Sequence, residues 1–177
     1  EFELIYPDEE SYQTIVDAIA ANWTQMGIAV TTTPLSYDEL IHNRLENRTF
    51  EAAFVNLNLS GTPDPDPYPF WDQAQATGGQ NYSQWNDPIA SDYIEDARVT
   101  WDLAERTRLY RNFQVVFNDA MPSLPLYYTV YNYAVDSAIR GVSVGPIFDS
   151  CDRFATITGW YLNMTRAKAT EPAATQE

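Results

Sequence analysis

The amino-terminal third of the chain alternates strand and helix patterns with short connections, and this order constrains the fold more than any other feature. Strand patterns lie at residues 2–6, 28–33 and 50–57 as alternating or β-branched apolar runs. Helix patterns begin near Ser11 and Ser36. Strand, helix, strand, helix, strand is typical of a parallel sheet with right-handed crossovers. The sequence therefore predicts an α/β fold with a mainly parallel central sheet and flanking helices.

Two further helices and a strand are predicted in the second half of the chain. Asp87 caps one helix, and Asp102 caps a longer one that ends before Pro122. The Tyr- and Val-rich run at residues 124–135 is predicted as a strand, and a short strand is predicted at 141–144.

Residues 59–85, which we call the aromatic loop, connect the third strand to the next helix without a helical or strand period. A connection of this length is unusual inside a compact domain and is commonly functional. Prolines at alternate positions hold the residues between them extended. Since ligands of parallel sheets bind beyond the carboxyl ends of strands, where this loop begins, we predict that it faces a ligand.

The side chains of the aromatic loop predict a site for a cationic group. A carboxylate beside aromatic rings holds an ammonium by charge-assisted hydrogen bonds and cation–π attraction. We expect Gly78 and Gly79, through their freedom at positive φ, to let the backbone approach a ligand. Simple turn formation is the alternative for each Asp and for the glycine pair. The predicted ligand-binding residues are Asp64, Asp66, Tyr68, Trp71, Asn81 and Tyr82.

The composition limits the other classes of site. Acidic residues number 25 against 10 basic ones, and the formal net charge of −15 repels nucleic acid and anionic lipid. Cys151 and His42 are the only residues of their types, so no intrachain disulfide and no Ser–His–Asp site has support. We predict no catalytic residue, metal or cofactor. The alternatives are a carboxylate-dependent hydrolase using Asp64 or Asp66, and a non-catalytic surface or adhesive domain.

Four segments, taken in order, resemble a known family. They read FEAAFVNLNLSGTPDPDPYPFW, GGQNYSQWNDP, AERTRLYRNFQVVFNDAMPSLPLYYTVYNYAV and IRGVSVGP. Together they resemble the C-terminal part of family 5 extracellular solute-binding proteins, the peptide- and nickel-type receptors of ABC importers. The resemblance covers nearly everything from Phe2 to Leu162.

The resemblance implies a two-lobed protein several times longer than this chain, and we expect the chain to be an excised piece. Its fold is the type II fold of periplasmic binding proteins, here incomplete, as one three-layer lobe. Residues 1–145 would be the second, C-terminal lobe, and 146–163 a segment that returns to the missing first lobe. The polar residues 164–177 are predicted to be a disordered tail. The acid that holds a peptide α-ammonium falls at Asp64 or Asp66.

The implied function is capture of oligopeptides or similar small solutes for an ABC permease, without catalysis. The implied location is extracellular or periplasmic, with the full-length protein tethered to the membrane. The apolar residues of 146–163 find no partner in the sequence pattern. In a protein of one lobe, we expect them to fold back on the lobe, to mediate self-association or to pair with a separate chain that carries the first lobe.

Overall fold

The computed structural model describes residues 1–58, 66–147 and 149–162 of the chain. The predictions made for Asp64 and for the tail at 164–177 lie outside these residues. No helix within the described ranges is both long enough and apolar enough to cross a lipid bilayer.

The described residues divide into two compact units. The first unit comprises residues 1–58 and 66–126, and the second comprises the described residues from Tyr127 onward. This division falls earlier than the predicted boundary at residue 145. That boundary concerns a longer protein and stays a prediction.

The first unit is built on a three-stranded parallel sheet with β1 in the centre. Strand β1 (Phe2–Pro7) pairs with β2 (Val30–Leu35) from Phe2↔Val30 onward, and with β3 (Ala52–Ala53) at Leu4↔Ala52. The order is β2-β1-β3 and both pairings are parallel. The predicted parallel α/β architecture is therefore confirmed.

The third strand is much shorter than the predicted run at 50–57. Only Ala52 and Ala53 pair with β1, and the Phe54 N–H adds one bond to the Ile5 carbonyl at 2.8 Å. Because Pro7 has no N–H, β1 has no further donor with which to extend this ladder. The mostly apolar run at 50–57 predicts a central strand, and this prediction is wrong, because β3 is short and lies at the edge of the sheet. Its place in the sequence and its parallel direction are as predicted.

Helical elements cover both faces of the sheet, so that the first unit has three layers. Helix α1 (Glu10–Gln25) packs Val16 against Leu4 and Tyr6 of β1. As predicted, it ends before Gly27, which adopts φ +84°. On the other face, Ile5 packs against the second helical element.

That second helical element, at Glu39–Leu45, is a π-helix rather than an α-helix. Leu40 and Leu45 are both buried in the cluster around Ile5, five residues apart. A π-helix has more residues per turn than an α-helix and brings positions i and i+5 to one face. The predicted cap is present, because the Ser36 Oγ accepts the Glu39 N–H at 3.3 Å.

Two long helices complete the first unit. Helix α3 (Pro88–Val99) begins at Asp87, whose carboxylate accepts the Ile89 and Ala90 N–H groups. Helix α4 (Leu103–Ala120) begins at Asp102, whose carboxylate accepts the Glu105 N–H. Both predicted caps are confirmed. The two helices share a cluster made of Ala90, Ile94, Phe113 and Phe117.

The second unit has little regular structure. Strands β4 (Ile139–Arg140) and β5 (Tyr161–Leu162) form a two-stranded antiparallel sheet. Two 3₁₀ helices lie at Ser150–Phe154 and Ile157–Gly159. The prediction of a short strand at 141–144 is wrong, because β4 ends at Arg140, before that range begins.

The predicted strand at 124–135 is absent, and this prediction is wrong. The run has no assigned secondary structure, with Tyr128 91% and Val130 79% exposed. A strand needs a neighbouring backbone to accept and donate its hydrogen bonds. The described chain offers none to this run, so its Tyr- and Val-rich composition does not suffice.

The apolar residues after position 145 do find contacts. The rings of Tyr133, Phe154 and Trp160 lie 6.0 to 6.3 Å apart. The Arg153 guanidinium lies over Tyr133 and Phe154 at 5.7 and 4.7 Å. Part of the segment expected to have no partner thus packs on its own unit.

Candidate functional site

The aromatic loop follows β3 in the chain and is described from Asp66 to Trp85. Short helical turns shape this part: α2 spans Tyr68–Trp71, and a 3₁₀ turn spans Gln73–Gln75. The prediction of a connection without regular structure is therefore wrong for the described part of the loop. Three sets of contacts, at Asp66, Asn81 and Tyr82, fix its path.

The first set holds Asp66 and Tyr68 against helix α3. One carboxylate oxygen of Asp66, Oδ1, accepts the Tyr68 backbone N–H at 3.0 Å. The other oxygen, Oδ2, lies 3.0 Å from Nε of Arg98 on the last turn of α3. The same guanidinium stacks over the Tyr68 ring, 4.1 Å from its centroid. Both oxygens of this predicted ligand-binding acid are thus engaged by the protein.

Trp71 lies on the cluster of α3 and α4. Its ring meets Phe117 edge to face at a centroid distance of 4.8 Å. Trp85, at the end of the loop, meets the same Phe117 edge to face at 5.7 Å. Such aromatic pairs are worth about 0.5–1.5 kcal/mol beyond the area they bury. The two tryptophans anchor the loop by packing, and Trp71 remains half-buried rather than enclosed.

The second set of contacts centres on Asn81, which is 0% exposed. Its Nδ2 donates to the carbonyls of Asp72 and Trp85 at 3.0 and 2.8 Å. Its Oδ1 accepts the Ser83 hydroxyl at 3.0 Å and the Trp85 N–H at 3.1 Å. The side chain therefore uses both donors and both acceptor positions inside the loop. In this structure Asn81 closes the loop on itself.

The third set ties Tyr82 to the π-helix. Tyr82 is half-buried against the cluster around Ile5, and burial raises the pKa of its hydroxyl. The Arg48 guanidinium lies 5.0 Å from the Tyr82 ring centroid. Its Nη2 donates to the carbonyls of Ala76 and Gly79 at 3.1 and 2.8 Å. Arg48 thereby joins the end of the π-helix to the aromatic loop.

The glycine pair serves the loop differently from the prediction. Neither Gly78 nor Gly79 adopts positive φ. A Cβ on Gly79 would lie 2.9 Å from the backbone Cα of Gln75, which is closer than real Cβ contacts allow. Gly79 is therefore required for close approach between two parts of the loop.

The predicted site residues thus fall on two clusters of the first unit. Asp66, Tyr68 and Trp71 lie on α3 and α4, whereas Tyr82 lies on the π-helix cluster. Asn81 holds the loop between them. The sixth residue lies outside the described residues. Their contact with a ligand stays a prediction.

Sequence reasoning missed the three residues that support the loop: Arg48, Arg98 and Asp72. Asp72 is fully buried, and its Oδ1 starts the 3₁₀ turn by accepting the Ala74 N–H at 2.7 Å. Each arginine contacts a residue about thirty positions away in the sequence. The two hydrogen bonds of Arg48, for example, join residues 28 and 31 positions apart. No local pattern signals such long-range pairs.

Other chemistry has little support in the described residues. No three His, Cys, Asp or Glu side chains among them are placed to hold a metal ion. The single histidine, His42, is exposed on the π-helix, with Nδ1 2.9 Å from Glu46. The hydrogen bond to Glu46 raises the pKa of His42. This histidine is part of a helix-surface ion pair.

No family model matches the chain. Di/tripeptide-binding protein 4 of Pseudomonas aeruginosa is 30% identical over 144 residues, which are 78% of this chain and 26% of that protein. The dipeptide-binding protein of Escherichia coli is 26% identical over 143 residues, 80% of this chain and 26% of that protein. The chain spans about a quarter of the length of these curated relatives.

Solved structures agree with the fold. The ABC transporter-associated periplasmic binding protein DppA of Helicobacter pylori, solved with a bound peptide, superimposes with a TM-score of 0.64 at 24% identity. The match covers 92% of this chain and 31% of that one. At this identity the likeness establishes the fold, and the chain accounts for part of the larger structure.

Proposed function

Because this chain matches a fragment of a family 5 extracellular solute-binding protein, we propose that it forms one lobe of a receptor that captures peptides or similar small solutes. The ligand would be enclosed between this lobe and a first lobe that the chain does not contain. The observation that carries the proposal is the aromatic loop. Tyr82 of this loop packs on the cluster that contains Leu35, the last residue of β2, and the loop is fixed by Arg98, Asn81 and Arg48.

The ligand chemistry we propose is recognition of an ammonium group beside apolar side chains. An acid of the aromatic loop, Asp64 or Asp66, would accept the ammonium, and Tyr68, Trp71 and Tyr82 would line the wall around it. Asn81 would act by holding the loop, since its amide is fully used within it. Preorganisation of this kind lowers the entropy cost of binding.

The partners we propose are the missing first lobe and an ABC permease. Relatives include proteins described as periplasmic, and we propose a periplasmic or extracellular location with a membrane tether in the full-length protein. The second unit supports the first of these partners, because it exposes large apolar side chains that would be covered by the rest of such a protein. They include Tyr127, Tyr128, Val130, Ile157, Tyr161 and Leu162.

Self-association is the other way in which the second unit would cover this apolar surface. Light scattering on the chain over a hundredfold dilution distinguishes self-association from coverage by the missing first lobe. A mass that falls with dilution supports association, and a monomer at every concentration contradicts it.

We propose that the chain binds without catalysing a reaction. A carboxylate-dependent hydrolase needs a free acid with a second carboxylate at a suitable separation. Asp66 has both oxygens engaged by Tyr68 and Arg98, and Asp72 is fully buried. Neither described acid of the loop meets that requirement in this structure.

Titration of the ¹⁵N-labelled chain with the dipeptide Ala-Ala tests this function. We expect weak binding, with a dissociation constant of about a millimolar, because one lobe supplies only part of an enclosing site. The shifted amide signals should lie between residues 66 and 85. N-acetyl-Ala-Ala, which lacks the ammonium, is the matched control and should bind markedly more weakly.

Two outcomes of this titration would contradict the proposal. Equal shifts with the acetylated dipeptide would exclude recognition of the ammonium. Appearance of free alanine during the titration would favour the hydrolase instead.

A further inference from the structure

We infer that Arg98 is a specificity-determining positioning residue, which neutralises Asp66 and, of the two acids proposed above, makes Asp66 an anchor of the loop rather than the acceptor of the ligand's ammonium. The inference rests on the proposed function, because specificity here means the choice among ligands of that site. Its geometric basis is the set of contacts among Asp66, Tyr68 and Arg98.

Each carboxylate oxygen of Asp66 has one contact with the protein. Oδ1 accepts the Tyr68 N–H at 3.0 Å, a two-residue turn that sets the start of α2. Oδ2 meets Arg98 Nε at 3.0 Å, a charge-assisted contact. The guanidinium plane also covers the Tyr68 ring at 4.1 Å. One cation therefore fixes both the acid and the aromatic ring.

Arg98 is itself held by a rigid part of the fold. It follows Ala97, which is fully buried, and one turn earlier Ile94 is 0% exposed in the cluster with Phe113 and Phe117. The arginine side chain therefore extends from a fixed backbone. Its planar fork and stacking surface are properties that lysine does not reproduce.

The electrostatic consequence follows from the exposure of the pair. The side chain of Asp66 is 31% exposed and that of Arg98 is 44% exposed, so water and a ligand both reach them. With Arg98 in place, the two charges cancel at this point of the loop. Without it, Asp66 presents an uncompensated carboxylate that attracts a second cationic group on a ligand.

The first test needs no ligand. In the NMR spectrum of the chain, the Arg98 Nε–H signal should move in Asp66→Asn, which keeps the Tyr68 contact but removes the charge. The Tyr68 amide should move in Arg98→Met and move less in Arg98→Lys, which restores the charge without the stacking plane. An Arg98 Nε–H signal that is identical in wild type and Asp66→Asn would overturn the pairing.

The second test compares the dipeptides Ala-Ala and Ala-Lys by the same titration. We expect the ratio of the affinity for Ala-Lys to the affinity for Ala-Ala to be roughly fivefold higher in Arg98→Met than in wild type. An exposed charge pair of about 1 kcal/mol allows a change of this size. The double variant Asp66→Asn/Arg98→Met should lose this gain. Arg108→Met, which removes an exposed arginine paired with Glu105 on α4, is the charge-matched control and should show no gain.

The outcomes separate this inference from the proposed function. No gain in Arg98→Met while wild type binds Ala-Ala at the loop would overturn the role of Arg98 and leave the function standing. An Arg98 Nε–H signal that moves in Asp66→Asn, together with no binding of either dipeptide by wild type, would overturn the function and leave the pairing of Arg98 with Asp66 standing. An equal gain in Arg108→Met would assign the effect to net charge and overturn the inference.

Discussion

The two units of the chain use similar residue types but bury them to different extents. Every fully buried apolar side chain among the described residues lies in the first unit. In the described part of the second unit no residue is fully buried, and the aromatic rings meet one another at its surface. The difference indicates that the first unit holds its structure through its own core. The second unit has aromatic and cation–π contacts in place of a core.

This difference has a physical basis in backbone pairing. In the first unit, parallel strands satisfy one another and leave two faces for helices to cover. The run at 124–135, most of which lies in the second unit, has no partner strand among the described residues. Its side chains stay exposed because no layer forms around them.

The largest expected effect comes from the core of the first unit. Ile94→Ala should lower the free energy of unfolding by about 2–5 kcal/mol, since the side chain is fully buried between α3 and α4. Chemical denaturation followed by circular dichroism measures it. Ile89→Ala, on the exposed face of the same helix, is the matched control and should cost under about 1 kcal/mol. Equal losses in the two variants would contradict the assigned core.

The next effect concerns the aromatic loop. Asn81→Ala should cost about 2–4 kcal/mol, because it leaves the Asp72 and Trp85 carbonyls and the Trp85 N–H without their partner. The exposed Asn86→Ala should be close to neutral. Hydrogen exchange of the loop amides locates the loss. Faster exchange confined to the second unit would refute the assignment.

A smaller effect is expected in the second unit. Phe154→Ala removes two ring contacts and one cation–π contact, worth about 1–2 kcal/mol together. The Trp160 indole N–H, which donates to Thr156 at 3.0 Å, reports the change by NMR. Signals of the first unit should not move. A drop in the stability of the first unit would mean that the comparison drawn above is wrong.

The smallest effect is a pH dependence that only the first unit should show. The bond to Glu46 raises the pKa of His42 above 6.5 in the folded state, so its stabilising contribution is complete below pH 6.5 and is lost as pH rises through the folded pKa. Stability of the first unit should therefore decline slightly above pH 6.5, and His42→Gln should remove the decline. The second unit has no histidine, so its stability should be flat there. Unfolding curves from pH 5.5 to 8.5 test both.

Local signals in the sequence predicted the parts of the fold that local chemistry decides. The caps at Asp87 and Asp102 and the glycine after α1 each act within three residues, and each is found as predicted. At Glu39–Leu45 the sequence predicts a helix but does not distinguish a π-helix from an α-helix. Leu40 and Leu45 are five residues apart, which is the spacing that marks a π-helix. Ile41 and Leu45 are four residues apart, a spacing that an α-helix also gives.

The remaining differences depend on contacts between distant residues. Whether residues 124–135 form a strand depends on a partner backbone, and composition carries no information about that partner. The contacts of Asp66 and Tyr82 depend on Arg98 and Arg48, which lie far away in the sequence. The aromatic loop was found from its length and its prolines, whereas its supports required the structure.

The most direct test of the central claim compares the affinity for Ala-Ala of this chain with that of the complete two-lobed protein. If the first unit is one wall of an enclosed site, the complete protein should bind about a thousandfold more tightly than the chain, which should bind at about a millimolar. Calorimetric titration measures the affinity of the complete protein, and NMR titration measures the affinity of the chain. Submicromolar binding by the chain alone, or equal affinities for the two proteins, would contradict the account.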